Sequence, residues 1–78
     1  MKNIIVITGG AGFVGSNLIK YLIKKTNFRI ISIDDYSSGT NKNHLKNKRI
    51  RYIKSHTKNI QNVLKLYKKK IHTLFHFG

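Results

Sequence analysis

Gly9, Gly10, Gly12 and Gly15 put four glycines into seven residues, between an apolar run ending at Thr8 and a helical-looking stretch from Val14 onward. Such a stretch offers a chemistry that needs no reactive side chain. The first N–H groups of a helix have no intrahelical partner and carry the positive end of its dipole, so a glycine turn leading into one suits an anion, above all a phosphate. Two registers overlap: Gly10-Ala11-Gly12-Phe13-Val14-Gly15 fits G-x-G-x-x-G, and Gly9, Gly12 and Gly15 fit G-x-x-G-x-x-G. In either one an early glycine permits the tight turn off the strand and Gly12 lets the backbone approach a pyrophosphate. Gly15 then lets the helix lie close to the sheet. A glycine turn with no ligand is the competing reading.

A second group narrows the choice. The chain holds two acids, Asp34 and Asp35, and Asp34 ends another β-branched run nineteen residues after Gly15. That is where a dinucleotide site needs an acceptor for the adenosine ribose hydroxyls. A carboxylate there repels a 2′-phosphate, which favours NAD over NADP, and Arg29 comes too early to pair with such a phosphate. Asp35 either bonds the ribose through its backbone or caps the loop after it. His44, His56, His72 and His76 have no carboxylate or cysteine at ligand spacing, and His72 and His76 would stand about 13 Å apart on one strand. No metal site is expected.

These groups need elements to position them. Residues 3–8, 29–34, 49–55 and 72–77 read as strands, the first buried on both faces and the third near a sheet edge. A helix from Val14 places Val14, Leu18, Ile19, Tyr21, Leu22 and Ile23 on an apolar stripe opposite Lys20, Lys24 and Lys25, and residues 26–28 break it. A second helix over 59–70 aligns Ile60, Val63, Leu64 and Tyr67, with Thr57 or Asn59 as N-cap and Lys68–Lys70 as a solvated last turn. Residues 35–43 read as a loop. The order β-α-β-β-α-β predicts an α/β fold: a partial Rossmann-type, doubly wound parallel sheet with strand order 3-2-1-4. Strand 4 would then be an apolar edge open to self-association.

Composition sets the outer limits. With 78 residues and no cysteine, the chain is expected to be one small domain without disulfide or thiolate metal chemistry, in a reducing cytoplasm. Its N-terminal apolar run is too short for a signal h-region or a membrane span, so no membrane partner is expected. Sixteen Lys and Arg against two acids give a net charge of +14. Two readings account for this. A field of that sign attracts phosphates and nucleic acid, which makes a small basic nucleic-acid-binding protein the alternative function. Thirteen Lys, twelve Ile and eight Asn also match A/T-rich coding, which explains the lysines better than the missing acids.

Three stretches together carry a family likeness. "VITGGAGFVGSNL" (6–18), "IDDYSSGT" (33–40) and "LFHFG" (74–78) resemble the opening motif, the ribose loop and the fourth-strand end of NAD-dependent epimerase/dehydratases. These are UDP-glucose 4-epimerase-like members of the extended short-chain dehydrogenase/reductase group. The resemblance implies that Gly9, Gly12, Phe13 and Val14 line a pyrophosphate and that Asp34 holds the adenosine ribose. It sets Ser37, Ser38 and Gly39 near phosphates or ribose, and Phe77 and Gly78 beside the middle of the cofactor. Asn17 is expected to pack. Where the family has an adenine-binding Asp after strand 3 this chain has His56, which either accepts one hydrogen bond from adenine or is a plain surface histidine.

The family's catalysis resembles hydride transfer assisted by a Tyr-x-x-x-Lys pair that lies beyond strand 4. Tyr21 to Lys24 and Tyr67 to Lys70 match that spacing, but on early helices where the tyrosine belongs to the apolar stripe. No catalytic residue is therefore expected within 1–78. This stretch reads as the N-terminal portion of an NAD(P)-binding Rossmann domain, without a substrate domain and inactive alone. It would meet a nucleotide sugar only with a C-terminal part. A non-functional truncated remnant is the third reading.

Overall fold

The computed structural model describes residues 2–9, 12–34, 45–54 and 60–77. Ile4–Thr8 form β1, Phe13–Lys25 α1, Arg29–Asp34 β2, Ile50–Lys54 β3, Ile60–Tyr67 α2 and Ile71–His76 β4. The four strands make one parallel sheet in the order β3-β2-β1-β4, as the pattern predicts. All five residues of β1 are buried, because it sits inside the sheet with a helix packed on each face.

The two faces have separate cores. Ile4, Val6, Ile31 and Ile33 point to one side, where α2 adds Ile60, with Val63, Leu64 and Tyr67 packed around them. Ile5, Ile7 and Ile30 point to the other, where α1 contributes Ile19 and Leu22. Period-two alternation along β1 and β2 divides the isoleucines between these layers. Ser32 shares the α1 face of β2, and its hydroxyl is buried with no hydrogen-bond partner among the described residues.

The buried stripe of α1 is narrower than its apolar residues suggest. Gly15, Ser16, Ile19 and Leu22 are buried, whereas Val14 and Tyr21 are each 59% exposed. At about 100° per residue, Val14 and Tyr21 fall roughly 140° and 160° from Ile19, on the solvent side. The expectation that Tyr21 lies on the packed stripe is thus corrected, while Tyr67 does pack against its core. Asn17 is corrected too: it is exposed, and its Nδ2 donates to the Phe13 carbonyl at 3.0 Å instead of packing.

Thr26 ends α1, its backbone N–H and its hydroxyl both donating to the Leu22 carbonyl at 2.8 and 2.7 Å. Arg49, just before β3, closes the same end. Its guanidinium donates to the carbonyls of Ile23 and Thr26 at 2.7 Å and of Phe28 at 3.2 Å. Helix α2 stops at Tyr67, one turn earlier than expected. Lys68–Lys70 form a tight turn, with the Lys70 N–H donating to the Tyr67 carbonyl at 2.8 Å and the Lys70 carbonyl accepting from the Ile4 N–H at 3.0 Å. Thr57, Asn59 and the 35–43 loop lie outside the described residues.

β4 is the outermost strand beyond β1, and its register slips. Ile71 pairs with Ile4, but Thr73, not His72, pairs with Ile5. This bulge spends an extra residue and reverses the facing of every later residue in the strand. Phe75 joins the α1 core, while Leu74 is left 45% exposed. Among the described residues no helix is long and apolar enough to cross a membrane.

Candidate functional site

In a parallel sheet the carboxyl ends of all strands share one edge, and the glycine turn, Asp34 and Phe77 converge there. β1 ends at Thr8, level with Ile33 of β2 and His76 of β4. Gly9 comes next with φ 77°, a left-handed conformation that glycine adopts without the clash a Cβ brings. Its N–H donates to the Ile33 carbonyl at 2.7 Å, so the glycine turn is tied to the residue before Asp34. Half-buried Asp34 is thereby held beside the turn.

The turn closes when the Gly12 N–H donates to the Gly9 carbonyl at 3.2 Å, and α1 begins when the Ser16 N–H donates to the Gly12 carbonyl at 2.9 Å. Gly12 is the N-cap of α1 with no side-chain cap, and the first helical turn holds no acid. The N–H groups of Phe13, Val14 and Gly15 therefore lack both an intrahelical partner and a capping oxygen from Gly12. Among the described residues, a Cβ built on Gly12 would meet the Gly9 carbonyl oxygen alone, at an ordinary 3.5 Å. Packing among the described residues does not demand glycine there. A Cβ there would compete with an anion approaching these N–H groups.

Phe13 is 83% exposed and Val14 projects outward as well, so both contribute backbone, not side chain, to this concavity. Phe77 borders it on the other flank, its N–H donating to the Thr8 carbonyl at 3.0 Å and its ring parallel to that of Phe75 at 6.3 Å. Of the sequence-derived site residues, Gly9, Gly12, Phe13, Val14, Asp34 and Phe77 gather at this edge. Asp35, Ser37, Ser38, Gly39, His56 and Gly78 lie outside the described residues.

Two residues that sequence reading did not place in the site also meet there. The Thr8 hydroxyl and His76 Nδ1 are 2.6 Å apart, the hydroxyl donating when that nitrogen is unprotonated. Thr8 is almost fully buried and immediately precedes the glycine turn, so this pair braces β4 against the base of the turn. Thr8 carried a signal as the last residue before the glycines, whereas His76 carried none, because its strand read on to Phe77 and ends at His76 only in the fold.

An uncapped helix start behind a left-handed glycine, with a carboxylate at the next strand end, is the arrangement that dinucleotide folds use for pyrophosphate and ribose. The sequence profile of the NAD dependent epimerase/dehydratase family matches residues 5–78. The chain belongs to that family. Within the NAD dependent epimerase/dehydratase family it is similar to a dTDP-glucose 4,6-dehydratase of Haemophilus influenzae, at 46% identity over 46 residues, 59% of this chain and 13% of that protein. The structure resembles dTDP-glucose 4,6-dehydratase from Bacillus anthracis, solved in complex with NAD, with a TM-score of 0.84 and 26% identity over 96% of this chain and 26% of that one. It resembles an epimerase from Methanothermobacter thermautotrophicus comparably, with a TM-score of 0.83 and 28% identity over 99% of this chain and 23% of that one. The chain thus spans about a quarter of the length of these solved relatives.

Neither Tyr-x-x-x-Lys match lies at the carboxyl edge of the sheet. Tyr21 is on the outer side of α1, and Tyr67 packs beside Ile4 at the amino ends of the strands.

Proposed function

We propose that residues 1–78 are the cofactor-binding start of a nucleotide-sugar epimerase or dehydratase, and that they hold NAD. The observation that carries this reading is the uncapped start of α1 behind Gly9 and Gly12, at the sheet edge that also bears Asp34. The N–H groups of Phe13, Val14 and Gly15 receive the pyrophosphate, and the helix dipole adds to the attraction. Asp34 accepts hydrogen bonds from the adenosine ribose hydroxyls, and its charge disfavours a 2′-phosphate. By the family resemblance, Ser37, Ser38 and Gly39 complete the ribose and phosphate side, and Phe77 and Gly78 flank the middle of the cofactor; Asp35 adds a backbone contact to the ribose, and His56, in place of the family's Asp, accepts a hydrogen bond from the adenine. Bound NAD would supply a hydride acceptor.

The dinucleotide-binding portion is assigned to residues 1–78, and turnover of a nucleotide sugar to a larger assembly that adds a Tyr-x-x-x-Lys pair and a substrate domain. The distance of Tyr21 and Tyr67 from the carboxyl edge supports assigning neither a catalytic role. A cytoplasmic setting is in keeping with the use of NAD and nucleotide sugars.

The test is calorimetric titration of NAD into the 78-residue chain, alongside Asp34→Ala and Gly12→Val, with far-UV circular dichroism to verify folding. Losing a charge-assisted hydrogen bond worth about 1.5–3 kcal/mol should weaken NAD roughly 10- to 100-fold in Asp34→Ala. Gly12→Val should abolish binding without unfolding the chain. Equal NAD affinity in all three folded proteins, or none in the parent, defeats the proposal.

A further inference from the structure

The opposite edge of the sheet carries a second charged feature that the cofactor reading does not use. At the amino ends of β1, β2 and β3 there is a cleft of about 230 Å³, floored by Ile4 and Ile31 and walled by Arg29, Lys48, Arg51 and Tyr67. Strand pairing assembles it: Arg29 lies beside Ile4, and Arg51 beside Ile31. Arg49 also borders the cleft, but its guanidinium is committed to the carbonyls that end α1. Arg29, Lys48 and Arg51 remain exposed. The chain's acidic side chains are Asp34 and Asp35, and Asp34 stands at the far end of β2, about 16 Å along the strand from Arg29. Among the described residues no acid lines the cleft, so its three cations gather without an internal counter-charge.

We propose that this cleft is an anion site for a small phosphate-bearing molecule. Arg29 and Arg51 suit a phosphate because a guanidinium presents paired N–H donors that match its oxygens, and Lys48 adds charge at the rim. Tyr67 lines the cleft beside an apolar floor of Ile4 and Ile31, which favours an organic phosphate over a bare ion. The volume of about 230 Å³ lies below the ~300–1,000 Å³ of drug-sized ligand pockets, which suits a small anion better than a whole dinucleotide. The cleft is separated from the glycine turn by the full length of β1, so the two sites are occupied independently.

The experiment is a 1H–15N NMR titration of the full 78-residue chain with inorganic pyrophosphate at low salt, in the parent, in Gly12→Val, in Arg29→Gln/Arg51→Gln and in Arg29→Lys/Arg51→Lys. Saturable shifts should cluster at the amides of residues 29–31 and 49–51 and at the arginine Nε–H groups, and they should persist in Gly12→Val. The double Gln variant should weaken binding at these residues at least about tenfold, and the double Lys variant, which keeps the charge, should recover part of it. Shifts spread over all exposed lysines and unchanged in the double Gln variant overturn the proposal, as do shifts confined to residues 12–16. A short oligothymidylate that binds more tightly than pyrophosphate and shifts Lys65 and Lys68–Lys70 overturns it in favour of a phosphodiester strand.

Discussion

The Gly9 N–H donates to the Ile33 carbonyl at 2.7 Å, joining the left-handed glycine of the turn to the residue before Asp34. One hydrogen bond between adjacent parallel strands thus sets the spacing between the two groups on which cofactor binding is proposed to depend. Gly9→Ala should cost about 1–2 kcal/mol, because a Cβ at φ 77° meets backbone. For a chain of this size that is a fall of about 4–8 °C in melting temperature for each kcal/mol, readable by thermal denaturation. Gly12→Val, whose φ is −80°, should lower the melting temperature less while removing NAD binding. The two glycines are predicted to separate stability from affinity.

Arg49 should matter more than an exposed cation in so basic a chain. Its guanidinium satisfies three carbonyls at the end of α1, so Arg49→Ala leaves them to water and is expected to cost about 1.5–3 kcal/mol in urea unfolding. Arg49→Lys keeps the charge but not the fork and should recover less than half. An effect as small as that of Lys46→Ala would reject the capping role.

Ser32 offers a test of the opposite sign. Its hydroxyl is buried between Ile7 and Tyr52 on the strand ladder without a partner among the described residues. Ser32→Ala removes the desolvated oxygen at little cost in volume and should be neutral or stabilising by about 1 kcal/mol. A loss beyond that in chemical denaturation would mean the hydroxyl has a partner.

The bulge in β4 predicts a pair of unequal neighbours. Phe75 packs into the α1 core, so Phe75→Ala should destabilise by about 2 kcal/mol, less than a fully buried phenylalanine because the residue is only partly buried. Leu74, on the exposed side, should tolerate Leu74→Lys within about 0.5 kcal/mol. An unslipped register would reverse the order, and denaturant midpoints of the two variants decide between them.

The order of elements was legible because each carries its own period. The unbroken Ile4–Ile7 run demanded a strand covered on both faces, the glycines marked the turn, and the spacing to Asp34 matched one helix and one strand of a crossover. With those three, the parallel order β3-β2-β1-β4 and the shared edge for Gly12 and Asp34 came from short-range pattern and handedness rules. The family likeness is written in the same stretches.

What the residues did not announce depends on contacts distant in the chain. Val14 and Tyr21 looked like core on α1, yet only the arc centred on Ile19 meets the sheet, because a straight helix presents about a third of its surface to a flat neighbour. The β4 bulge is decided by hydrogen-bond register against Ile4 and Ile5, some seventy positions earlier in the chain. Thr8 meets His76, and Arg49 reaches the end of α1, only once strands from distant segments lie side by side. The sequence by itself determined which elements form and which end of the sheet carries the glycine turn. Tertiary packing decided which faces are buried and which cations gather at the other end, since burial is a property of neighbours and not of local period.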